Sequence, residues 1–364
     1  MAQAHVKLFM ASNSPHIHQV AAGFLSLQEE ERLNVTFING KSSCSIPDLP
    51  HKHCVVAYVE GKTIIFDMSD GYNFKKEFDF SSTLENADYY FKRSFSKEKN
   101  KELLGESPFS EKIFPYGFNY FVSHRKIPIP FKDKIYDIIK CAYQMCRFHS
   151  ADKIVWEADD FACPPTRSYS EPKIIFCTRL WDEPGFSKQE LEHINSTRIE
   201  LVRKLKQTYK ENFMGGVYKN DLAVKMCPDI ILPQNISLKR NYIKLMKKSD
   251  ICIGSIGLHQ SIGWKTGEYV AASKAVVNEK FAYEVTGRFA QGVNYLEYST
   301  VDECMQAVDS LYNDPEALND MKNANYRYYN DYGSPKKLIE NALKTAGVNL
   351  GPSVKSEFTE EVIR

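Results

Sequence analysis

The stretch ICIGSIGLHQSIGWKTGEYVAASKAVV, residues 251–277, decides the fold class of the second half of the chain. It starts as an apolar strand, passes through a loop that carries glycines, continues as a helix around residues 264–272 and ends in a second apolar strand. Alternating strands and helices are typical of doubly wound parallel sheets, whose ligands bind beyond the carboxyl ends of the strands, where helix N-termini point. The segment therefore predicts a binding site in its loop.

Four residues of this segment have the chemistry that a phosphate-bearing ligand needs. Gly257 and Gly263 allow the backbone to approach a ligand closely. Lys265 and Glu268 are three positions apart and share one helix face, so a cation for a diphosphate and a carboxylate for a ribose diol would lie in one cleft. Two plainer interpretations remain open: Glu268 as a solvated helix residue, and Lys265 as no more than its ion-pair partner.

The same alternation extends over the rest of this half. Residues 173–180 (KIIFCTRL) predict a buried strand, and the helix after them begins with a capping box at Ser187 and Glu190. Residues 228–233 (PDIILP) predict a short strand, and residues 239–248 predict a basic helix with a solvated face.

The first half also begins with a β-α-β pattern, which favours a parallel sheet with a right-handed crossover. Residues 5–11 predict a strand, a helix follows from about His16, and residues 33–38 predict the next strand. A hairpin is expected across residues 60–62 and a helix over residues 132–149. The apolar residues of that last helix fall on one stripe: Ile135, Ile138, Ile139, Ala142 and Cys146.

Proline-rich residues 161–172 (FACPPTRSYSEP) predict the linker between two domains. We therefore expect an N-terminal domain over residues 1–165, a second domain over residues 171–345 and a polar tail over residues 346–364. The fold class that follows is α/β, with two Rossmann-like, doubly wound domains facing a central cleft.

Composition excludes several classes of protein. Of 364 residues, 47 are Lys or Arg and 46 are Asp or Glu, so the near-zero net charge argues against a protein that coats nucleic acid. Nine cysteines at irregular spacing favour reduced thiols, and no apolar run is long enough for a membrane span. The first residues lack the pattern of a signal peptide, so a cytoplasmic location is expected.

The motifs of other enzyme classes are missing. The sequence contains no G-x-G-x-x-G, P-loop, H-E-x-x-H or G-x-S-x-G motif, which weakens dinucleotide oxidoreductases, P-loop NTPases, zinc proteases and α/β-hydrolases. It also lacks D-x-D, the carboxylate pair with which many glycosyltransferases hold a metal-bound nucleotide-sugar. We therefore expect no metal and no cofactor, with a nucleotide-sugar as co-substrate.

Residues 263–277 (GWKTGEYVAASKAVV) resemble the donor-site segment of GT-B glycosyltransferases, especially family 4, in which a Glu starts a helix that runs into a small-residue turn and an apolar strand. The resemblance implies that Glu268 binds ribose. Gln260 stands where family 4 members often carry a second Glu, and it is the expected contact to the donor sugar. Residues 174–185 resemble the first strand and loop of the same domain, which implies that Arg179 holds the diphosphate together with Lys265. The resemblance spans residues 173–345.

The resemblance implies sugar transfer from a nucleotide-sugar to a glycan, lipid-linked or protein acceptor, as in polysaccharide biosynthesis, without a metal. Inversion and retention at the sugar both remain open. If the transfer inverts, the acceptor-side base would come from the first domain, where His16 and Asp70 follow strands. Structural roles for both remain open, because a satisfied histidine and a turn-forming Asp before Gly are common. Peripheral contact with the inner membrane face, through the basic helix at 239–248, is a minor alternative.

Two other functions remain open. A nucleotide-sugar epimerase of the GT-B type would need several acid and base groups in the cleft, and the sequence shows few in suggestive contexts. A non-catalytic protein that binds a nucleotide or glycan would keep the fold without turnover.

Overall fold

The computed structural model describes residues 3–40, 44–46, 48–75 and 78–352. Of the polar tail predicted over residues 346–364, the part from 353 onward lies outside the described residues.

The first domain is built on a six-stranded sheet in the order β2-β1-β3-β4-β5-β6. Its strands are β1 (Ala4–Met10), β2 (Leu33–Ile38), β3 (Cys54–Val59), β4 (Lys62–Asp67), β5 (Tyr89–Lys92) and β6 (Ile113–Pro115). Its helices are α1 (Pro15–Glu29), α2 (Phe80–Glu85), α3 (Lys97–Leu104), α4 (Phe131–Phe148) and α5 (Ala158–Phe161). Strand β3 is antiparallel to both of its neighbours, whereas the pairs β1–β2, β4–β5 and β5–β6 are parallel.

The predicted β-α-β opening and the hairpin are both present in this domain. Ser14 caps α1 by accepting a hydrogen bond from the His16 N–H, and Pro15 occupies the first helical position. The hairpin joins β3 to β4 through Glu60 and Gly61, both at positive φ (49° and 75°), as a tight two-residue turn requires.

The second domain has a five-stranded, fully parallel sheet in the order β11-β10-β9-β7-β8. Its strands are β7 (Ile174–Thr178), β8 (Phe213–Val217), β9 (Ile251–Gly254), β10 (Ala275–Glu279) and β11 (Tyr295–Tyr298). The helices that follow α5 are α6 (Lys188–Tyr209), α7 (Asp221–Met226), α8 (Lys239–Lys248), α9 (Trp264–Ala271), α10 (Val301–Asn313), α11 (Pro315–Tyr328) and α12 (Pro335–Thr345). Strands β7 and β9 are buried throughout, because helices cover both faces of a parallel sheet.

Two Rossmann-like α/β domains on either side of a cleft, the GT-B type of arrangement expected from the sequence, are thus confirmed. One predicted strand is wrong: residues 228–233 contain a 3-10 turn at Pro228–Ile230 and only an isolated bridge from Ile231 to Val217. Two prolines deprive this short segment of backbone donors, so it cannot pair along its length.

The last helix crosses from the second domain to the first. Leu338, Ile339, Ala342 and Leu343 of α12 are buried in the same hydrophobic cluster as β1 and α1. A Cβ on Gly23 in α1 would lie 2.2 Å from the Pro335 carbonyl oxygen, so the two helices meet where α1 has no side chain. Residues 335–345, which the sequence groups with the second domain, therefore complete the core of the first.

Helix α4 lies where the sequence predicts a helix, but its apolar stripe faces outward. Ile135, Ile138 and Ile139 are 42, 59 and 62% exposed, whereas the opposite side of the helix contacts the first domain. No side chain of α4 belongs to any of the hydrophobic clusters found in the described residues. The stripe is therefore not a core face.

Candidate functional site

The strand orders place one crevice in each domain, and both open on the same cleft. In the second domain, successive strands are added toward one edge of the sheet from β7 and toward the other edge from β9, so the strand order reverses between these two strands. In the first domain the strand order reverses between β1 and β3. Loops that leave neighbouring strands on opposite sides of such a point diverge and leave room for a ligand. Arg179 follows β7, the glycine loop follows β9, and His16 lies in the helix that follows β1.

Lys265 lies in the second-domain crevice, between two tyrosines. Its Nζ is 3.3 Å from the Tyr218 hydroxyl and 3.9 Å from the centroid of the Tyr242 ring. Burial lowers the pKa of Lys265, and the Glu268 carboxylate acts in the opposite direction. The ammonium group thus rests on aromatic faces and has no carboxylate within ion-pair distance among the described residues. That leaves it able to bind an anionic ligand.

Glu268 is not the solvated residue that the sequence left open. Its side chain is 4% exposed, and its Oε1 accepts a hydrogen bond from Lys239 Nζ at 2.8 Å. Lys239, in turn, lies near the rings of Phe121 and Phe161, at 4.8 and 4.9 Å from their centroids. A ribose diol would have to use the second carboxylate oxygen or displace Lys239.

The side chain of Arg179 is exposed at the rim of the same crevice, 5.7 Å from the ring of Trp181. Its backbone is held by the side chain of Arg198 in α6, a residue that is 6% exposed. Arg198 donates to the Arg179 carbonyl oxygen at 2.6 Å and to the Ile256 carbonyl oxygen at 2.8 Å. Arg198 therefore holds the loops after β7 and β9 together, and burial lowers its pKa only to about 10, so it stays charged at neutral pH.

The loop after β9 has a closed internal geometry. The Gly257 N–H donates to the Ser261 carbonyl oxygen at 2.7 Å, which closes the loop. Gly263 is the N-cap of α9 and has no side chain, so no capping side chain accepts from the N–H groups of the first turn. Gln260 is exposed, and its backbone has the left-handed conformation, with φ of 59°.

Across the cleft, the structure brings the two candidate acid/base residues together on Arg93. Asp70 Oδ1 is 2.6 Å from Arg93 Nη1, and the same nitrogen is 3.3 Å from His16 Nδ1. Arg93 Nη2 donates to the Ile262 carbonyl oxygen of the second domain at 2.8 Å. The His16 ring also lies 4.7 Å from the ring of Trp264, the first residue of α9. This cluster therefore joins the two domains beside the N-terminus of α9.

The environment of His16 favours a hydrogen-bond donor over a base. Burial, and then the neighbouring Arg93 guanidinium, lower the pKa of His16 to about 4, although Asp70 acts in the opposite direction. The ring is thus neutral near pH 7. Because Arg93 donates to Nδ1, the proton is placed on Nε2. The Asp70 side chain, by contrast, is 36% exposed, so its carboxylate can be reached from the cleft.

Sequence reasoning missed four residues of this site: His53, Arg93, Arg198 and Lys239. Arg93 directly follows β5 and could have been found from the rule that site residues follow parallel strands. His53, whose ring is 4.6 Å from that of His16, could not, because it precedes β3 and reaches the same edge only since β3 is antiparallel. Asp67, which also lies at the end of β4, is fully buried. Its Oδ2 is 2.8 Å from Lys92 Nζ, so its role is structural.

A groove of about 410 Å³ continues the cleft beside Asp70. It is lined from the first domain by Gly71, Tyr72 and Lys99 and from the second by Gln260 and Tyr283, among others. Among the described residues, no cluster of His, Cys, Asp and Glu could hold a metal ion. In the same part of the chain, no helix has the length and apolarity needed to span a bilayer.

A comparison of the sequence with family models and with curated proteins finds no match. Among solved structures, the chain is similar to a UDP-GlcNAc 2-epimerase from Neisseria meningitidis bound to UDP-GlcNAc, with 16% identity over 72% of this chain and 63% of that one, at a TM-score of 0.39. It is similar to S. aureus TarM in complex with Fondaparinux, alpha-GlcNAc-glycerol and UDP, with 12% identity over 74% of this chain and 48% of that one, at a TM-score of 0.40.

The C-terminal domain of a glycosyl transferase group 1 family protein (LpcC) from Francisella tularensis is a further similar structure, with 15% identity over 48% of this chain and 95% of that domain, at a TM-score of 0.32. The chain thus spans less than two thirds of the epimerase and about half of TarM. Likenesses at this distance concern the fold alone.

Proposed function

We propose that this protein is a GT-B glycosyltransferase, similar to family 4, that binds a nucleotide-sugar in the crevice between β7 and β9 and transfers the sugar to an acceptor in the groove beside Asp70. The observation that carries the proposal is the meeting of two clusters at the N-terminus of α9. Arg179, Lys265 and Glu268 lie on one side of it, and His16 and Asp70 lie on the other.

In this proposal the leaving diphosphate is neutralised by Arg179, Lys265 and the free N–H groups of α9, because preorganised donors stabilise developing charge without reorganisation. Glu268 receives the ribose hydroxyls and Gln260 contacts the donor sugar. Asp70 accepts the acceptor's proton, while His16 Nε2–H donates a hydrogen bond to substrate. No resident metal takes part in these steps.

The experiment is a thermal-shift screen of the full chain against UDP-, GDP-, dTDP- and CMP-sugars, followed by titration calorimetry of each hit. A true donor at 100 times its dissociation constant adds about 2.7 kcal/mol to the free energy of unfolding. Asp70→Asn should then retain donor affinity and lose transfer to an added glycan acceptor. No stabilisation by any nucleotide or nucleotide-sugar would overturn the proposal.

A nucleotide-sugar epimerase is a second candidate, favoured by one observation. The sequence shows few acid and base groups in suggestive contexts, but the fold gathers His16, His53 and Asp70 around Arg93. His53 Nδ1 is buried and has no hydrogen-bond partner among the described residues. NMR of the preferred nucleotide-sugar incubated without acceptor distinguishes the candidates: an epimerase yields the epimer with the nucleotide still attached, whereas a transferase releases at most slow hydrolysis products.

A further inference from the structure

The outward face of α4 is the largest concentration of exposed apolar side chains in the part of the chain that the structure describes. Half of the exposed large apolar residues of that part lie on this one helix of 18 residues. They are Phe131, Ile135, Tyr136, Ile138, Ile139, Tyr143 and Met145, at 42 to 78% exposure. An apolar patch of this kind marks an interaction surface, since isolated exposed residues are common but clusters are not.

The inward face of α4 shows why this orientation is fixed. Asp133 Oδ2 accepts a hydrogen bond from the Asn13 side-chain amide at 2.9 Å, and Gln144 exchanges hydrogen bonds with Asp152 at 2.9 and 3.2 Å. The polar side of the helix is thus the side attached to the protein. Rotating the isoleucines inward would break these bonds, so the apolar face points to solvent.

The charges of α4 are separated in the same way and identify the partner. All four of its cations, Lys132, Lys134, Lys140 and Arg147, are exposed beside the apolar stripe. Its only two carboxylates, Asp133 and Asp137, lie on the inward side. An apolar face bordered by cations alone, with tyrosines at its edge, complements an anionic lipid surface, where a helix lies in the plane of the headgroups.

We propose that the outward face of α4 binds the surface of a bilayer that contains anionic lipid. The isoleucines and Phe131 enter the boundary between headgroups and acyl chains, and the three lysines contact lipid phosphates. Arg147 donates to Gln234 Oε1 at 3.0 Å and stays bound to the protein. The basic helix α8, which the sequence offers as a minor alternative for such contact, has two of its cations engaged internally: Lys239 pairs with Glu268, and Lys247 donates to the Ala162 carbonyl oxygen. Asn13 also accepts from His18, so docking would place the start of α1, and with it the cleft, near the bilayer.

The test is sedimentation of the full chain with vesicles of pure phosphatidylcholine and with vesicles that also contain phosphatidylglycerol. We expect binding to the mixed vesicles only, and release as salt is raised, because salt screens charges at a surface. Ile138→Asp combined with Ile139→Asp should lower the partition by roughly 100-fold, since each isoleucine contributes on the order of tenfold when it leaves water. Lys132→Gln combined with Lys140→Gln should lower it roughly 25-fold, about fivefold for each lysine.

Val224→Asp in α7 is the matched control, because Val224 is also exposed, at 46%, and lies on another helix. It should bind vesicles like the wild type. All variants should keep the wild-type melting temperature, since the altered side chains are exposed. Unchanged vesicle binding by the Ile138/Ile139 variant would overturn the proposal. So would a wild-type dimer in size-exclusion chromatography that this variant dissociates, because α4 would then bind a second copy of the chain.

Discussion

Lys239 and Glu268 form an ion pair within the proposed donor site, and removing the charge of one should have a different effect from removing the charge of the other. Lys239 Nζ is 2.8 Å from Glu268 Oε1, and the side chains of Lys239 and Glu268 are 21 and 4% exposed. Lys239→Met leaves the Glu268 carboxylate buried without its cation. Glu268→Gln leaves an ammonium group against the Phe121 and Phe161 rings, where it can still reach some solvent.

Breaking a fully buried pair costs about 3–5 kcal/mol, because the remaining charge is uncompensated. The partial exposure of Lys239 allows solvent to screen that charge, so we expect a loss of roughly 2–3 kcal/mol for Lys239→Met. In a domain of this size, about 1 kcal/mol corresponds to a shift of roughly 2–4 °C in melting temperature, which gives a decrease of about 4–12 °C. The double variant should recover most of this loss, because neither charge remains buried.

Nucleotide affinity separates the structural role of the pair from a binding role. If Glu268 holds the ribose, Glu268→Gln should weaken nucleotide binding by about 10- to 150-fold, since charge-assisted hydrogen bonds contribute about 1.5–3 kcal/mol. Lys239→Met should retain binding, because the carboxylate is then free for the diol. Calorimetric titration and thermal melting of the three variants measure both effects. A folded Glu268→Gln variant with wild-type nucleotide affinity would refute the ribose assignment, and an unchanged melting temperature for Lys239→Met would refute the energetic argument.

Three further predictions follow from the structure. Turnover should survive EDTA, because protein cations are proposed to neutralise the diphosphate; loss on chelation and recovery with manganese would contradict this. Gly23→Ala should lower the melting temperature although alanine favours helices, because its Cβ would meet the Pro335 carbonyl oxygen at 2.2 Å; a stabilised variant would show that α12 does not pack there. Burial lowers the pKa of His18 from 6.5 to about 4, so the unfolded chain binds the extra proton and stability should fall by up to about 3 kcal/mol as pH decreases from 6.5 to 4. In urea titrations at pH 7 and pH 4.5, His18→Gln should lose less stability than the wild type, and an equal loss would count against this linkage.

The sequence predicts the second domain well because its signals are local. Continuous apolar runs define β7, β9 and β10, and glycines and small residues define the loop and the end of α9. The three-residue spacing of Lys265 and Glu268 depends on helical geometry alone, so the sequence also predicts that they share one face, although Glu268 pairs with Lys239 instead. Position 228–233 is the exception, where apolar content suggests a strand and the prolines prevent one.

The first domain and the far side of the site depend on contacts that no local pattern contains. The antiparallel direction of β3 brings His53 to the edge where His16 and Arg93 lie, although the three are distant in sequence. Lys239 looks like one member of a basic helix until the fold places it against Glu268.

By itself, then, the sequence determined the two α/β domains, the loop before α9 and the residue types of the proposed donor site, because periodicity, caps and turns act over a few positions. Tertiary structure alone decided the direction in which the stripe of α4 faces. Helical periodicity fixes which side chains share a face, but the burial of that face depends on what the rest of the chain can cover. In this protein α12 is covered by α1, and the apolar face of α4 is left to solvent.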